Sequence, residues 1–114
     1  MHAHNICTAT PNSSNLTVIK WKNEKGEVKT FHLKASITHK WREIGDHVEV
    51  PWEKLEVWAR EKDADICCKE VLSYWLNNPP SNYPATWEDL YELLKDCELS
   101  QIAANLKQAV ENAI

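Results

Sequence analysis

The chain has 114 residues, of which 43% are hydrophobic and 26% are charged. This length and composition fit one globular domain and exclude a disordered or fibrous chain. No apolar run approaches the ~20 residues that a membrane span requires, and the N-terminus lacks the apolar stretch of a signal peptide. We therefore expect a cytoplasmic protein, or a piece of one.

The formal net charge of −4 is unevenly distributed along the chain. Residues 1–35 carry five Lys and two Glu, a net +3, whereas residues 36–114 carry eight Lys or Arg and fifteen Asp or Glu, a net −7. An acidic region has no basic surface for gripping phosphate backbones, so we expect no nucleic-acid partner and no membrane partner. The four cysteines show no spacing typical of a disulfide framework, and we expect them to be reduced.

Residues 1–15 are rich in Asn, Ser, Thr and small side chains and show no periodicity. We expect a flexible tail there. His2, His4 and Cys7 resemble a metal-binding group, but a closed site needs four ligands and nothing nearby supplies the fourth. We therefore expect no metal site in this tail.

Residues 16–34 predict a β-hairpin. A three-residue loop over 24–26, with Gly26 in the left-handed region, would be a type I turn that closes in a glycine bulge. This register places Ile19 opposite Phe31, with Trp21 on the same face. A two-stranded hairpin is marginal in water. It therefore either docks on the rest of the chain or is the last hairpin of an upstream β-rich domain, and the sequence leaves both alternatives open.

From residue 36 onward the apolar residues recur at helical spacing. The predicted helices cover about 36–47, 51–61, 66–77, a stretch that begins at Thr86 and breaks at 97–100, and 100–112, with a very short helical turn at about 63–65. We expect Gly45 to mark the exit of the first helix, Pro51 to open the second, and Thr86 and Ser100 to cap the last two. The predicted core residues are Ile37, Trp41, Ile44, Leu55, Trp58, Val71, Leu72, Trp75, Trp87, Leu90, Leu94, Ile102 and Leu106.

The sequence offers little catalytic chemistry. Two glycines cannot build a phosphate-binding loop, and no Ser lies in a nucleophile elbow. A Cys–His couple is the remaining catalytic option, and its members would come from Cys7, Cys67, Cys68 or Cys97 and from His32, His39 or His47. Buried thiols are inert, so we expect no enzyme, no cofactor and no small-molecule substrate.

Five stretches, in order and with matching spacing, resemble the death domain. They are Trp41-Arg42-Glu43-Ile44-Gly45, Leu55-Glu56-Val57-Trp58, Val71-Leu72-Ser73-Tyr74-Trp75, Thr86-Trp87 with Leu90 and Leu94, and Ile102-Ala103-Ala104-Asn105-Leu106. The resemblance covers about 36–112. It implies an all-α fold, a six-helix antiparallel Greek-key bundle, which the hairpin at 16–34 precedes. It also implies an adaptor-like module that binds other death domains, including copies of itself, in cell-death or innate-immune signal transduction.

The resemblance also implies contact through charged helix faces of opposite sign, so that copies join head-to-tail. On this chain the expected acidic face is Glu53, Glu56, Asp63 and Asp65, and the expected basic face is Lys40, Arg42, Arg60 and Lys69. Tyr74 and Tyr83 are further candidates. Trp52 is either packed on the hairpin or a contact hot spot. A second hypothesis is a regulatory or structural role, in which the hairpin covers the contact surface.

Overall fold

The computed structural model describes residues 10–114, and it begins with a hydrogen-bonded turn that leads into the hairpin. The side-chain carbonyl of Asn12 accepts from the backbone N–H groups of Ser14 and Asn15, and that of Asn15 accepts from Asn12 N–H at 2.7 Å. Leu16 follows and is buried. Residues 12–15, which we expected to belong to the flexible tail over 1–15, are part of this turn. Residues 1–9, with His2, His4 and Cys7, lie outside the described residues.

The hairpin has the predicted register. Its strands are β1, Ile19–Lys22, and β2, Val28–Phe31, paired antiparallel. Ile19 lies opposite Phe31, as the three-residue loop requires. Gly26 has φ 80°, and its N–H donates to Asn23 O at 3.0 Å, which is the geometry of a type I turn with a glycine bulge. The prediction is confirmed because both the turn and the alternation are local properties of the sequence.

Six α-helical segments follow within residues 10–114. They are α1 Leu33–Ile37, α2 Trp41–His47, α3 Trp52–Glu61, α4 Ala64–Asn77, α5 Trp87–Asp96 and α6 Ser100–Glu111, with a 3₁₀ turn at Thr38–Lys40. The 3₁₀ turn joins α1 and α2 into one interrupted first helix, so this part of the chain has five helices rather than six. The short helix expected at 63–65 is not separate. Asp63 instead caps α4, because its side chain accepts from Ile66 N–H at 3.1 Å.

The helix ends correct several expectations. The first helix begins at Leu33 rather than 36, and β2 ends at Phe31, three residues before the expected end of the hairpin at 34. Pro51 is the N-cap of α3 instead of its first residue, and Leu99 rather than Ser100 precedes α6. The predicted cap of α5 is confirmed, since the Thr86 hydroxyl accepts from the N–H at the third helical position at 3.0 Å.

The exit of α2 lies at Glu49, so the prediction that Gly45 marks it is wrong. Glu49 has φ 65°, and the next N–H, that of Val50, donates to Gly45 O at 3.0 Å. This is a Schellman motif with Glu in the position where Gly is usual. Glu98, with φ 63°, ends α5 in the same way. Gly45 itself lies buried within α2, where it lets α3 and α4 approach closely.

The helices bury one continuous core around Trp75, which is 0% exposed. Ten of the thirteen predicted core residues are buried, and the exceptions, Trp41, Trp58 and Ile102, are half-buried at the edge of the core. The core also includes residues outside those thirteen that are fully or almost fully buried: Leu16, Ile19, Leu33, Val48, Leu93, Cys97, Ala103 and Ala109. None of the helices in residues 10–114 is long and apolar enough to cross a bilayer.

The hairpin docks on the helical bundle. Ile19 is part of the common core, and Trp21 and Phe31 pack against it. After α6 the chain runs beside β1, where Lys22 N–H donates to Asn112 O at 3.2 Å and Ile114 N–H donates to Lys20 O at 3.2 Å. The structure therefore shows the first of the two alternatives for the hairpin.

We predict that Gly45→Ala lowers the free energy of unfolding by about 1–3 kcal/mol, the usual cost of overpacking a core. A Cβ at this position would lie 2.8 Å from Leu55 Cδ2 and 3.1 Å from Val71 Cγ2, so both side chains must move. Urea unfolding of the two chains measures the difference.

The control is the same substitution in a Leu55→Ala background. The new methyl group then enters space that the leucine has left, so the two losses should sum to more than the double variant shows. Fully additive losses would contradict the proposed close contact between α2 and α3.

Candidate interaction surface

The charged residues expected on opposite faces partly neutralise each other. Arg42, at the start of α2, forms an ion pair with Glu56 on α3. Lys40 Nζ lies 3.2 Å from Glu43 Oε1. Packing of α2 against α3 brings Arg42 and Glu56 together, so these two expected contact residues of opposite sign lie side by side. Both side chains are more than a third exposed, so the pair contributes little to stability and can be exchanged for an outside partner.

The two expected acidic residues at the start of α4 also have local partners. Asp63 caps the helix, and Asp65 Oδ1 lies 2.9 Å from Lys34 Nζ on α1. Both carboxylates are explained by the fold before any contact with another protein. Asp63 therefore stabilises the start of α4, and Asp65 links it to α1.

Three of the expected contact residues remain exposed and form no ion pair with another described residue. They are Glu53 at the start of α3, Arg60 near its end, and Lys69 on α4. The end of α3 meets the start of α4 where Cys67 Sγ lies 3.2 Å from Trp58 O. We call the exposed parts of these two helices, with Glu53, Arg60 and Lys69, the α3–α4 surface.

Trp52 stands at one end of this surface. Its side chain is 65% exposed, and it is absent from the side chains packed on the core or the hairpin among residues 10–114. A large aromatic side chain left in water is a typical anchor of a protein interface. Of its two alternatives, packing on the hairpin is thus not observed.

Tyr74 and Tyr83 serve the fold. Tyr74 is half-buried and packs against the core. The carbonyl oxygen of Tyr83 accepts from Trp75 Nε1–H at 2.7 Å, and its hydroxyl donates to the Asp96 carboxylate. This hydrogen bond, and secondarily burial, raises the pKa of Tyr83 to about 12. The tyrosine therefore holds the proline-rich loop between α4 and α5 onto the bundle.

One Cys–His pair considered from the sequence does come together. Cys97 Sγ lies 3.6 Å from His47 Nδ1. The same nitrogen lies 3.0 Å from Glu43 O, and because a carbonyl only accepts, Nδ1 carries a proton and cannot take one from the thiol. Burial, and secondarily the charge of Glu43, raises the pKa of Cys97 to about 12. This arrangement does not generate a thiolate nucleophile near neutral pH.

The other two cysteines of the described chain are similarly shielded. Burial raises the pKa of Cys68 to about 11 and also raises that of Cys67. Within residues 10–114 no group of three or more His, Cys, Asp or Glu side chains is placed to hold a metal ion.

Sequence reasoning missed a shallow groove between α5 and α6. It has a volume of about 320 Å³, and Trp87 and Leu106 contribute to its floor. The ammonium groups of Lys95 and Lys107 lie 5.1 and 5.7 Å from the centre of the Tyr91 ring at its rim. Helical periodicity places these residues on two separate helices but does not say that the helices are neighbours.

The family model of the death domain matches residues 28–110, which is most of the chain. The chain belongs to the death domain family, as the five sequence stretches indicated. The match begins within the hairpin, at β2. Death domains are interaction modules of death-fold signalling rather than enzymes. Neither the curated proteins nor the solved structures gave a match to this chain.

We predict that the free energy of unfolding falls as the pH rises from about 9 toward 12. An ordinary thiol ionises near pH 9, whereas the pKa of Cys97 in the folded protein is about 12. The unfolded chain then releases a proton that the folded chain keeps, so its stability is full below about pH 9 and is lost as pH rises through the folded pKa. Chemical unfolding at a series of pH values measures this slope.

Cys97→Val is the control, because valine is similar in size and cannot ionise. Its slope above pH 9 should be smaller than that of the unchanged chain. Equal slopes would show that Cys97 ionises as easily in the folded state as in the unfolded state.

Proposed function

We propose that this chain mediates homotypic association with other death domains, and that it acts as a non-catalytic adaptor region in cell-death or innate-immune signal transduction. The membership of the family supports an interaction role. The observation that carries the proposal to particular residues is the open α3–α4 surface. There, Glu53, Arg60 and Lys69 are exposed and have no ion-pair partner among the described residues.

The distribution of charge supports an asymmetric contact. Glu53 and the two cations lie on different parts of the surface, since Glu53 begins α3 while Arg60 lies near its C-terminal end. Charges of opposite sign at the two ends of α3 allow a contact with a second copy in a head-to-tail sense. Arg42 and Glu56, whose ion pair can be exchanged for an outside partner, add one positive and one negative charge beside the α3–α4 surface.

The regulatory alternative, in which the hairpin covers the contact surface, has less support. The hairpin packs on α6 and beside Asn112–Ile114, and it contributes Leu16 and Ile19 to the core. Trp52 and the α3–α4 surface stay uncovered. The hairpin is better explained as a structural part of the bundle, and removing residues 1–34 should unfold the chain rather than activate it.

We predict that Arg60→Glu together with Lys69→Glu abolishes capture by a death-domain partner in a pull-down against a panel of purified death domains. The reversed charges repel an acidic face, whereas the urea midpoint should stay within the usual range for surface changes. Lys107→Glu, at an exposed position of α6, is the control and should be captured like the unchanged chain.

Two results would contradict the proposal. One is that no death domain in the panel captures the unchanged chain. The other is that the α3–α4 variant and Lys107→Glu bind equally well. If the double variant loses both binding and stability, Arg60→Glu and Lys69→Glu are tested singly, so that a loss of the contact can be separated from a folding defect.

A further inference from the structure

The outer face of the hairpin is exposed and carries a positive charge. Ile19 and Trp21 face the bundle, so the alternating residues Lys20 and Lys22 face outward, opposite Thr30 and Val28. Val28 is 56% exposed, which leaves an apolar side chain beside the two lysines. We call these four residues, Lys20, Lys22, Val28 and Thr30, the lysine face.

A surface of complementary character lies at the junction of α2 and α3. The acidic side chains of Asp46, Glu49 and Glu53 are exposed there, and the exposed indole of Trp52 lies among them in the chain. None of the three carboxylates forms an ion pair with another described residue. We call Asp46, Glu49, Trp52 and Glu53 the acidic corner. The contact of His47 with Cys97 brings the end of α5, with exposed Glu98, to the same corner.

Helix α6 separates the two surfaces. The helix begins directly after Leu99, which follows Glu98 at the acidic corner. It ends at Glu111 beside the lysine face, because the backbone oxygen of the next residue, Asn112, accepts from Lys22 N–H. Twelve helical residues span about 18 Å, which exceeds the Debye length of about 8 Å at physiological salt. The opposite charges at the two ends therefore do not neutralise each other within one molecule.

We propose that the lysine face of one copy docks on the acidic corner of a second copy of this chain. Lys20 and Lys22 would lie against Asp46, Glu49 and Glu53, and the apolar contact at the centre would be Val28 against Trp52. An apolar centre within a charged rim is the usual anatomy of a protein interface. The inference rests on the proposed homotypic function and adds to it a contact made by the hairpin, most of which precedes the region that matches the family.

The contact is head-to-tail, because the two surfaces differ and lie at opposite ends of α6. Each copy then keeps one free lysine face and one free acidic corner, so growth is open rather than closed at a dimer. A contact that depends on charge weakens as salt rises. The full chain should thus show a mass that increases with concentration and decreases with added salt.

The test is sedimentation of the full chain at low salt, with single charge reversals on either surface. Lys22→Glu and Glu53→Lys should each lower the association constant about tenfold or more, because each turns an attraction into a repulsion. Lys107→Glu on α6 and Glu88→Lys on α5 make the same changes of charge at exposed positions outside the lysine face, the acidic corner and the α3–α4 surface, and should self-associate like the unchanged chain.

A mixture of Lys22→Glu with Glu53→Lys gives the sharpest result. The first variant keeps its acidic corner and the second keeps its lysine face, so mixing them should restore the association that each variant lacks on its own. Misfolded variants could not complement each other in this way. The inference is overturned if the unchanged chain stays monomeric, if the mixture stays monomeric, or if the controls lose association equally.

The outcomes also separate this inference from the proposed function. Capture of a death domain through Arg60 and Lys69, with self-association unaffected by Lys22→Glu, would overturn the hairpin contact and leave the proposed function standing. Loss of self-association in Lys22→Glu, with no death domain captured from the panel, would support the hairpin contact and contradict binding to other members of the family.

Discussion

The burial of the Trp75 indole is the interaction on which the rest of the structure depends. Trp75 is the largest fully buried side chain, and its ring N–H would destabilise the fold if it lacked an acceptor. The carbonyl of Tyr83 supplies that acceptor at 2.7 Å. Because Tyr83 belongs to the proline-rich loop, this one hydrogen bond fixes the path of the loop and the position at which α5 begins. The apolar face of α5, with Leu90 and Leu94, then covers the core.

The hairpin covers the same core from the other side, where β1 packs against α6. The hairpin and the helices therefore form one folding unit. This leaves function to the parts of the surface that packing does not need. Glu53, Arg60 and Lys69 form no ion pair with another described residue, and the exposed Trp52 is not packed against the core. A side chain with no partner in its own fold is available to another molecule.

Most of the fold could be predicted from local patterns. The hairpin register follows from the glycine turn, and the cap of α5 follows from Thr86 and the acidic first turn. The site could be predicted less well, because ion pairing depends on which helices are neighbours. Arg42 and Glu56 are 14 residues apart, and Lys34 and Asp65 are 31 apart, so no periodicity relates them. Trp41 and Trp58 were predicted as core but are only half-buried, for a similar reason: a helical stripe identifies the inward side of a helix, but its edge residues are covered only if a neighbour reaches them.

Native-state hydrogen exchange tests most directly the claim that the hairpin and the bundle form one cooperative unit. The hydrogen-bonded amides at the Ile19–Phe31 end of the hairpin should exchange only through global unfolding. Their exchange free energy and their dependence on denaturant should then equal those of the most protected amides in α5. Exchange of the hairpin amides at a clearly lower free energy, with little dependence on denaturant, would show that the hairpin opens independently and would contradict the shared core.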